Sequence, residues 1–167
     1  WGIDIGKCGL KALRCSRSSD SEKLVADAFD YIEYPMLLTQ PEADPGELVR
    51  DAVEEFLSRN DIVGDTIAVS VPGQAGLSKF IKLPPVEASK IPDIVTYEAR
   101  QQIPFPLEQV IWSWQRLEGG IEESGFVIDA EIALFAMKRD QVAKAIEPFK
   151  DADIEIDILQ LSPVSLA

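Results

Sequence analysis

The chain has 167 residues, of which 46% are hydrophobic and 27% charged, which is typical of a globular protein with one sizeable core or two small lobes. Its 16 basic and 29 acidic residues give a net charge of -13, which argues against a nucleic-acid partner and against direct binding to an anionic membrane. No apolar run reaches the roughly 18 residues of a spanning helix, so we expect no direct membrane insertion. The absence of histidine excludes a histidine-dependent triad, and together with the absence of a C-x-x-C pair it makes a zinc site implausible.

The first part of the chain predicts three antiparallel strands at residues 2–5, 9–17 and 24–34, rich in Ile, Leu, Val and Tyr. Cys8 and Cys15 lie on one extended segment, too far apart to form a disulfide, so both are predicted to be free thiols in a reducing cytoplasm.

A helix follows these strands, and its start is marked by capping residues. Asp44 is the predicted N-cap and Pro45 the first helical residue, and apolar residues then recur at helical spacing as far as Leu57. The segment TIAVSV at 66–71 predicts a short buried strand that ends at Pro72-Gly73.

A second unit is predicted to begin near Ser78. SKFIKLP at 78–84 is a strand, residues 88–103 form a helix with Pro92 in its first turn, and Pro104-Phe105-Pro106 ends that helix. Segments 109–118 and 125–138 predict two strands of a hairpin around the glycine-rich loop between them.

The last part predicts a helix from about Asp140, which Pro148 should kink or end, and then a strand at 154–161. Ser162 and Pro163 have the pattern of an N-cap and first residue of a further helix. Because that helix stops after its first turn and the chain begins without Met, we expect the sequence to be part of a longer protein.

The segment GIDIGKCGLK at 2–11 combines an acidic residue, two glycines and lysines around a tight turn. Glycine allows the backbone to approach an anion, Lys11 can contact a phosphate, and Asp4 can hold magnesium through water. The segment fits neither a Walker loop nor a Rossmann fingerprint. The alternative is a plain β-hairpin in which Gly6 and Gly9 only shape the turn.

GIDIGKCGLK resembles the first phosphate motif of the actin, Hsp70 and sugar-kinase superfamily. Four later segments are together similar to the PilM family of cytoplasmic, actin-like proteins of type IV pilus assembly, a family related to FtsA. These segments are VSVPGQAGLSKFIKLPPV, YEARQQIPFPLEQVIWSWQRL, IALFAMKRDQVAKAIEPF and IDILQLSPVSLA. The resemblance implies an α/β (α+β) fold with a partial actin-like (ribonuclease H-like) first lobe. It places the first part of that lobe at 1–76, an inserted small α/β domain of FtsA/PilM type at 77–161, and the return to the lobe at 162–167.

The resemblance also implies a site for ATP and magnesium in the full-length protein. Its residues are Asp4, Gly6, Lys7, Cys8, Gly9 and Lys11. Asp4 would lie close to magnesium, and Lys11 would reach the β-phosphate. Lys7 departs from the family, which usually has a small hydroxyl residue there, and the remaining nucleotide motifs would lie beyond Ala167, so this piece is expected to bind ATP weakly or not at all.

A partner site is implied as well. The family binds the cytoplasmic N-terminal segment of the bitopic protein PilN in a groove between the first lobe and the insert, and the candidates here are Arg100, Ile103, Pro104 and Phe105. The alternative is that Ile-Pro-Phe-Pro is only a rigid helix stop. Trp112 and Trp114 share one side of their strand and either cover the insert's helices or form a partner-binding face.

The favoured function is a nucleotide-binding scaffold without sustained turnover, located in the cytoplasm and peripheral to the inner membrane through its partners. One alternative is a binding module that has lost nucleotide, like the type II secretion protein GspL, which Lys7 would favour. The other is a phosphotransferase of the actin-like superfamily, which needs a catalytic carboxylate in a second lobe. Whether the protein is an enzyme, and whether it serves pili, competence or secretion, stays open from the sequence.

Overall fold

The computed structural model of the protein describes residues 1–18, 23–117 and 119–165. The predicted strand at 109–118 and the predicted return to the first lobe at 162–167 therefore each include residues outside the described chain. The described residues form two compact units, one of Trp1–Gly73 with Ala143–Ala167 and the other of Gln74–Val142.

The first unit is built on a mixed five-stranded sheet. Its strands are β1 (Gly2–Ile5), β2 (Gly9–Arg17), β3 (Leu24–Glu33), β4 (Ala68–Val71) and β11 (Ile158–Leu161), in the order β11-β4-β1-β2-β3. Strands β1, β2 and β3 pair antiparallel, as predicted, whereas β4 pairs parallel with both β1 and β11.

Helix α1 (Pro45–Arg59) begins where its cap predicts. The Asp44 carboxylate accepts hydrogen bonds from the backbone N–H groups of Gly46 and Glu47, which satisfies two donors that have no partner within the helix. The helix packs on β2 and β3. Its buried residues are Val49, Ala52, Val53 and Phe56.

Alternation along the strands decides which face of the sheet is buried. Ile3 and Ile5 of β1 and Val69 and Val71 of β4 are buried, whereas the residues between them are only partly covered. The ring of Trp1 meets that of Phe56 edge-on, with centroids 5.1 Å apart. The face with the odd-numbered residues of β1 is therefore the core face, and Asp4 lies on the opposite face.

The second unit contains β5 (Leu77–Lys82), β6 (Val86–Glu87), α2 (Ile91–Gln102), β7 (Val110–Arg116), β8 (Ile121–Glu123), β9 (Phe126–Ile128) and β10 (Glu131–Lys138). Strands β5, β10 and β7 form one antiparallel sheet with β10 in its centre. Ile91, Val95 and Ala99 of α2 join a core cluster with Ile132 and Leu134 of β10. Pro92 lies in the first turn of α2, as predicted.

The two strands of the predicted hairpin do pair with each other, but the second of them is not one continuous strand. Strands β7 and β10 do pair antiparallel, but the predicted strand 125–138 is divided at Asp129 and Ala130. Its first part, β9, pairs with β8 and β6 in a separate small sheet. Asp129 has a positive φ of 56°, which turns the chain between the two sheets.

The predicted insert, residues 77–161, extends too far at its C-terminal end. The compact second unit ends at Val142, and β11 belongs to the first sheet because it pairs with β4 from Ile158 to Leu161. Helix α3 (Arg139–Asp151) continues for three residues after Pro148, which therefore lies in its last turn. Helix α4 (Ser162–Ser165) starts at the predicted cap.

Candidate functional site

The turn between β1 and β2 brings four of the predicted nucleotide-site residues together. Asp4 and Lys11 lie directly opposite each other in the ladder, and the Lys11 Nζ atom is 3.7 Å from Asp4 Oδ2. The turn is closed by a 3.0 Å hydrogen bond from Gly6 N–H to the Gly9 carbonyl. Because both side chains are partly exposed, the ion pair itself adds little stability.

Glycine is required at both ends of this turn. A Cβ atom on Gly6 would lie 2.9 Å from the Gly9 carbonyl oxygen, and it would also lie 3.6 Å from Lys11 Nζ and 3.8 Å from Asp4 Oδ2. A Cβ atom on Gly9 would lie 2.6 Å from the carbonyl oxygen of Ile32. Gly6 therefore leaves space beside a carboxylate and an ammonium group, an arrangement that can bind a hydrated cation next to an anion.

Lys7 and Cys8 lie at the tip of the turn and are exposed. Their backbone carbonyls accept hydrogen bonds from Leu38 N–H and Tyr34 N–H, at 2.9 and 3.0 Å. The segment after β3 thus fixes the backbone of the turn. Cys8 and Cys15 are both free thiols, and both are exposed.

The same face of the sheet carries a polar row that the sequence did not reveal. Ser70 of β4 is the register partner of Asp4, and Tyr31 of β3 is the register partner of Lys11. Register partners share a face, so Ser70, Asp4, Lys11 and Tyr31 are neighbours across four strands. We define these four residues as the polar row.

Two hydroxyl groups in this region are buried without a hydrogen-bond partner among the described residues, those of Ser70 and Tyr34. Burial is the largest cause that raises the pKa of Tyr34, and the charges of Asp4, Cys8 and Tyr31 raise it further. Desolvation, followed by a hydrogen bond with Cys8, raises the pKa of Tyr31. Both tyrosines are therefore neutral at physiological pH and can act as hydrogen-bond donors.

A second candidate site is a pocket of about 450 Å³ within the second unit. It is lined by the turn after α2, by the start of β5 and by the end of β10. Three of the predicted partner-binding residues, Ile103, Pro104 and Phe105, line this pocket, and the Lys138 Nζ atom lies 4.1 Å from the centre of the Phe105 ring. Arg100 is exposed on α2 and does not line it.

Trp112 and Trp114 are partly buried and pack against the core cluster that includes α2. Their side of β7 is thus the covered side, which agrees with the interpretation that these residues cover the helix. Ile111, on the other side of the strand, is 47% exposed.

Within the described residues, no group of three or more Cys, Asp or Glu side chains is placed to hold a metal ion. A magnesium ion beside Asp4 would need ligands that protein side chains alone do not provide, which is usual for an ion held through water and phosphate. None of the described helices is both long and apolar enough to cross a membrane.

Comparison with solved structures gives the class of the protein, which is an α/β protein with an actin-like fold. The chain is similar to a structure entitled "PilM-PilN type IV pilus biogenesis complex", with 20% identity, a TM-score of 0.65, and coverage of 97% of this chain and 47% of that chain. It is also similar to the cytoplasmic domain of EpsL, an inner membrane component of the type II secretion system of Vibrio cholerae. Here the identity is 10%, the TM-score 0.52, and the coverage 96% of this chain and 56% of that chain. The chain thus spans about half the length of each.

The sequence profile of the family described as "Type IV pilus assembly protein PilM" matches residues 2–164. The chain therefore belongs to the PilM family of type IV pilus assembly proteins, as the resemblance of its motifs predicted. No curated protein sequence matches it.

Proposed function

We propose that the full-length protein is a nucleotide-binding scaffold of type IV pilus assembly that binds the cytoplasmic N-terminal segment of a PilN-like inner-membrane protein. Such a partner would hold the protein at the membrane. The observation that carries the proposal is the pocket at the turn after α2, in a chain of the PilM family.

The pocket has the features of a site for a short extended peptide. Its volume of about 450 Å³ is within the range of small-ligand clefts, and it contains Phe105, an aromatic side chain that is 39% exposed. Leu77 begins β5, which is an edge strand among the described residues of its sheet, so a peptide could add main-chain hydrogen bonds there. Apolar contacts with Ile103 and Met137 would then favour an apolar peptide.

Lys138 also influences which peptide fits. Its ammonium group lies over the Phe105 ring and is the only charged group that lines the pocket in the described chain. A cation–π contact at a partly exposed position contributes about 0.5–1 kcal/mol and holds both side chains in place. We therefore expect Phe105 to be prepositioned as an anchor for the peptide.

The test is a titration of a fluorescently labelled peptide, copied from the cytoplasmic end of the PilN-like protein, with the full-length protein. Phe105→Ala should weaken binding by about 1–2 kcal/mol, the effect of losing one interface anchor. Phe126→Ala is the matched control because Phe126 is 45% exposed in the same unit, lies on β9 away from the β5 edge, and does not line the pocket. Unchanged affinity of Phe105→Ala would remove the pocket from the proposal, and a large fall in its melting temperature would show that Phe105 is a packing residue.

Nucleotide binding is the second part of the proposal, and the residues at the β1–β2 turn fit magnesium-bound ATP. Gly6 leaves room beside Asp4 and Lys11, and Ser70 provides a hydroxyl on the same face that has no partner within the described residues. Bound magnesium would neutralise phosphate charge, and Asp4 would orient its water ligands while Lys11 binds a phosphate oxygen. Calorimetry on the full-length protein should show magnesium-dependent ATP binding that Lys11→Ala abolishes and Lys79→Ala, an exposed control, does not.

The alternative is a binding module without nucleotide. Lys7 at the tip of the turn favours it, because the lysine occupies a position where the family usually has a small hydroxyl residue. If the full-length wild-type protein binds the peptide but not ATP, this alternative replaces the first proposal.

A further inference from the structure

Ser70 is the polar member of an otherwise apolar strand. In β4, Ala68 precedes it by two residues and Val69 and Val71 flank it, both fully buried in the core. The Ser70 Oγ atom is enclosed and has no hydrogen-bond partner among the described residues. A buried hydroxyl without a partner destabilises a protein, and alanine at this position would avoid that cost.

The strand register places Ser70 in a row with two charged residues. β4 pairs parallel with β1, and the register places Ser70 next to Asp4 on the face opposite the core. Lys11 lies next to Asp4 on the other side. Because neighbouring strands are about 4.8 Å apart, the backbones of Ser70 and Lys11 lie at similar distances on either side of Asp4.

We propose that Ser70 is a positioning residue of the nucleotide site, whose hydroxyl accepts a hydrogen bond from the water shell of magnesium beside Asp4. This inference rests on the proposed nucleotide binding. A serine hydroxyl is both a donor and an acceptor, and that of Ser70 has no partner among the described residues, so it is available to accept from a magnesium-bound water. Lys11 then contacts phosphate from one side of Asp4, and Ser70 contacts the hydrated ion from the other.

The experiment measures ATP binding by the full-length protein calorimetrically, once with magnesium and once with a chelator. Ser70→Ala should lower the affinity about tenfold with magnesium, as expected for a group that supports an ion through its ligands, and leave the affinity in chelator unchanged. Ser70→Thr, which keeps the hydroxyl, should retain most of the affinity. Ser16→Ala is the control because Ser16 is exposed in the same sheet.

A second measurement separates this role from a structural one. Without nucleotide, Ser70→Ala should melt at a higher temperature than the wild type, because an unpartnered hydroxyl is removed. The rise in melting temperature on adding magnesium and ATP should be smaller for this variant. A serine that only supports the fold would instead lower the melting temperature in both conditions.

The outcomes distinguish this inference from the proposal on which it rests. Loss of ATP binding in Lys11→Ala, with wild-type affinity in Ser70→Ala, would overturn the role of Ser70 alone. An equal loss in Ser70→Ala with and without magnesium would also overturn it, because the effect would not involve the ion. If neither variant changes binding, nucleotide does not bind at this turn and both proposals fall.

Discussion

Gly9 should be the residue of the β1–β2 turn that tolerates substitution least. A Cβ atom there would lie 2.6 Å from the Ile32 carbonyl oxygen and 2.8 Å from Tyr31 Cε2, whereas ordinary contacts begin at 3.4 Å. The Tyr31 ring can rotate away, but Ile32 is buried in the core and its backbone is part of the β2–β3 ladder. Gly9→Ala therefore requires β2 and β3 to separate by about 0.8 Å at this point.

The free-energy cost of separating β2 and β3 can be estimated from the backbone hydrogen bonds between them. Weakening one or two hydrogen bonds, each of which contributes about 0.5–1.5 kcal/mol, lowers the free energy of unfolding by about 1–3 kcal/mol. Gly2→Ala is the matched control, because the nearest neighbour of its Cβ in the described chain would be the Leu13 carbonyl oxygen at 3.9 Å. In the control, the reduced freedom of the unfolded chain should leave stability unchanged or raise it slightly.

The assay is urea unfolding of the 167-residue chain followed by circular dichroism, with hydrogen exchange to locate the change. We expect faster exchange in β2 and β3 of Gly9→Ala and no change in β10. Equal stability of Gly9→Ala and Gly2→Ala would refute the reasoning, since it would show that the backbone at Ile32 can move at no cost.

Two further predictions concern single groups in the first unit. Asp44→Ala should destabilise the chain by about 1 kcal/mol because two N–H groups of α1 lose their acceptor, and Asp44→Asn should restore most of it in the same urea assay; equal midpoints for wild type and Asp44→Ala would contradict this role. Tyr34→Phe should raise stability at neutral pH by about 1 kcal/mol, since it removes a buried hydroxyl without a partner in the described chain. Burial raises the pKa of Tyr34, so the folded state keeps a proton that the unfolded state releases above about pH 10, and wild-type stability should fall there more steeply than that of Tyr34→Phe. Parallel alkaline profiles of the two proteins would contradict the assignment.

The elements that local chemistry specifies could be predicted from the sequence. Asp44 and Pro45 mark the start of α1 because a cap acts on the next three residues, and Gly6 and Gly9 mark a turn because only glycine fits there. The short strands β6 and β8 could not be predicted, because two or three mostly exposed residues carry no periodicity. Their pairing with β9 is a long-range property.

The difference between local and long-range interactions also explains which residues of the candidate sites could be predicted from the sequence. Asp4 and Lys11 are close in sequence, and the hairpin between them makes them opposite partners. Ser70 lies 66 positions after Asp4 and joins the row only through parallel pairing, so the sequence showed it as one polar residue in an apolar run. Likewise Ile103 and Phe105 were predicted as partner-binding residues from their own segment, but Met137 and Lys138, which line the same pocket, were not, because they reach it from another strand.

The register that builds the core of the first unit also fixes the polar row. In β1, Ile3 and Ile5 are buried on the face that packs toward α1, and the period of two places Asp4 on the other face. In β4, Val69 and Val71 are buried on the core face, so Ser70 between them lies on the other face. A slip of one residue between these strands would expose buried side chains, so the free energy that holds the core also holds Asp4 beside Ser70. The row is therefore positioned by strands and not by loops, which gives it the rigid placement that the proposed site for a hydrated ion would need.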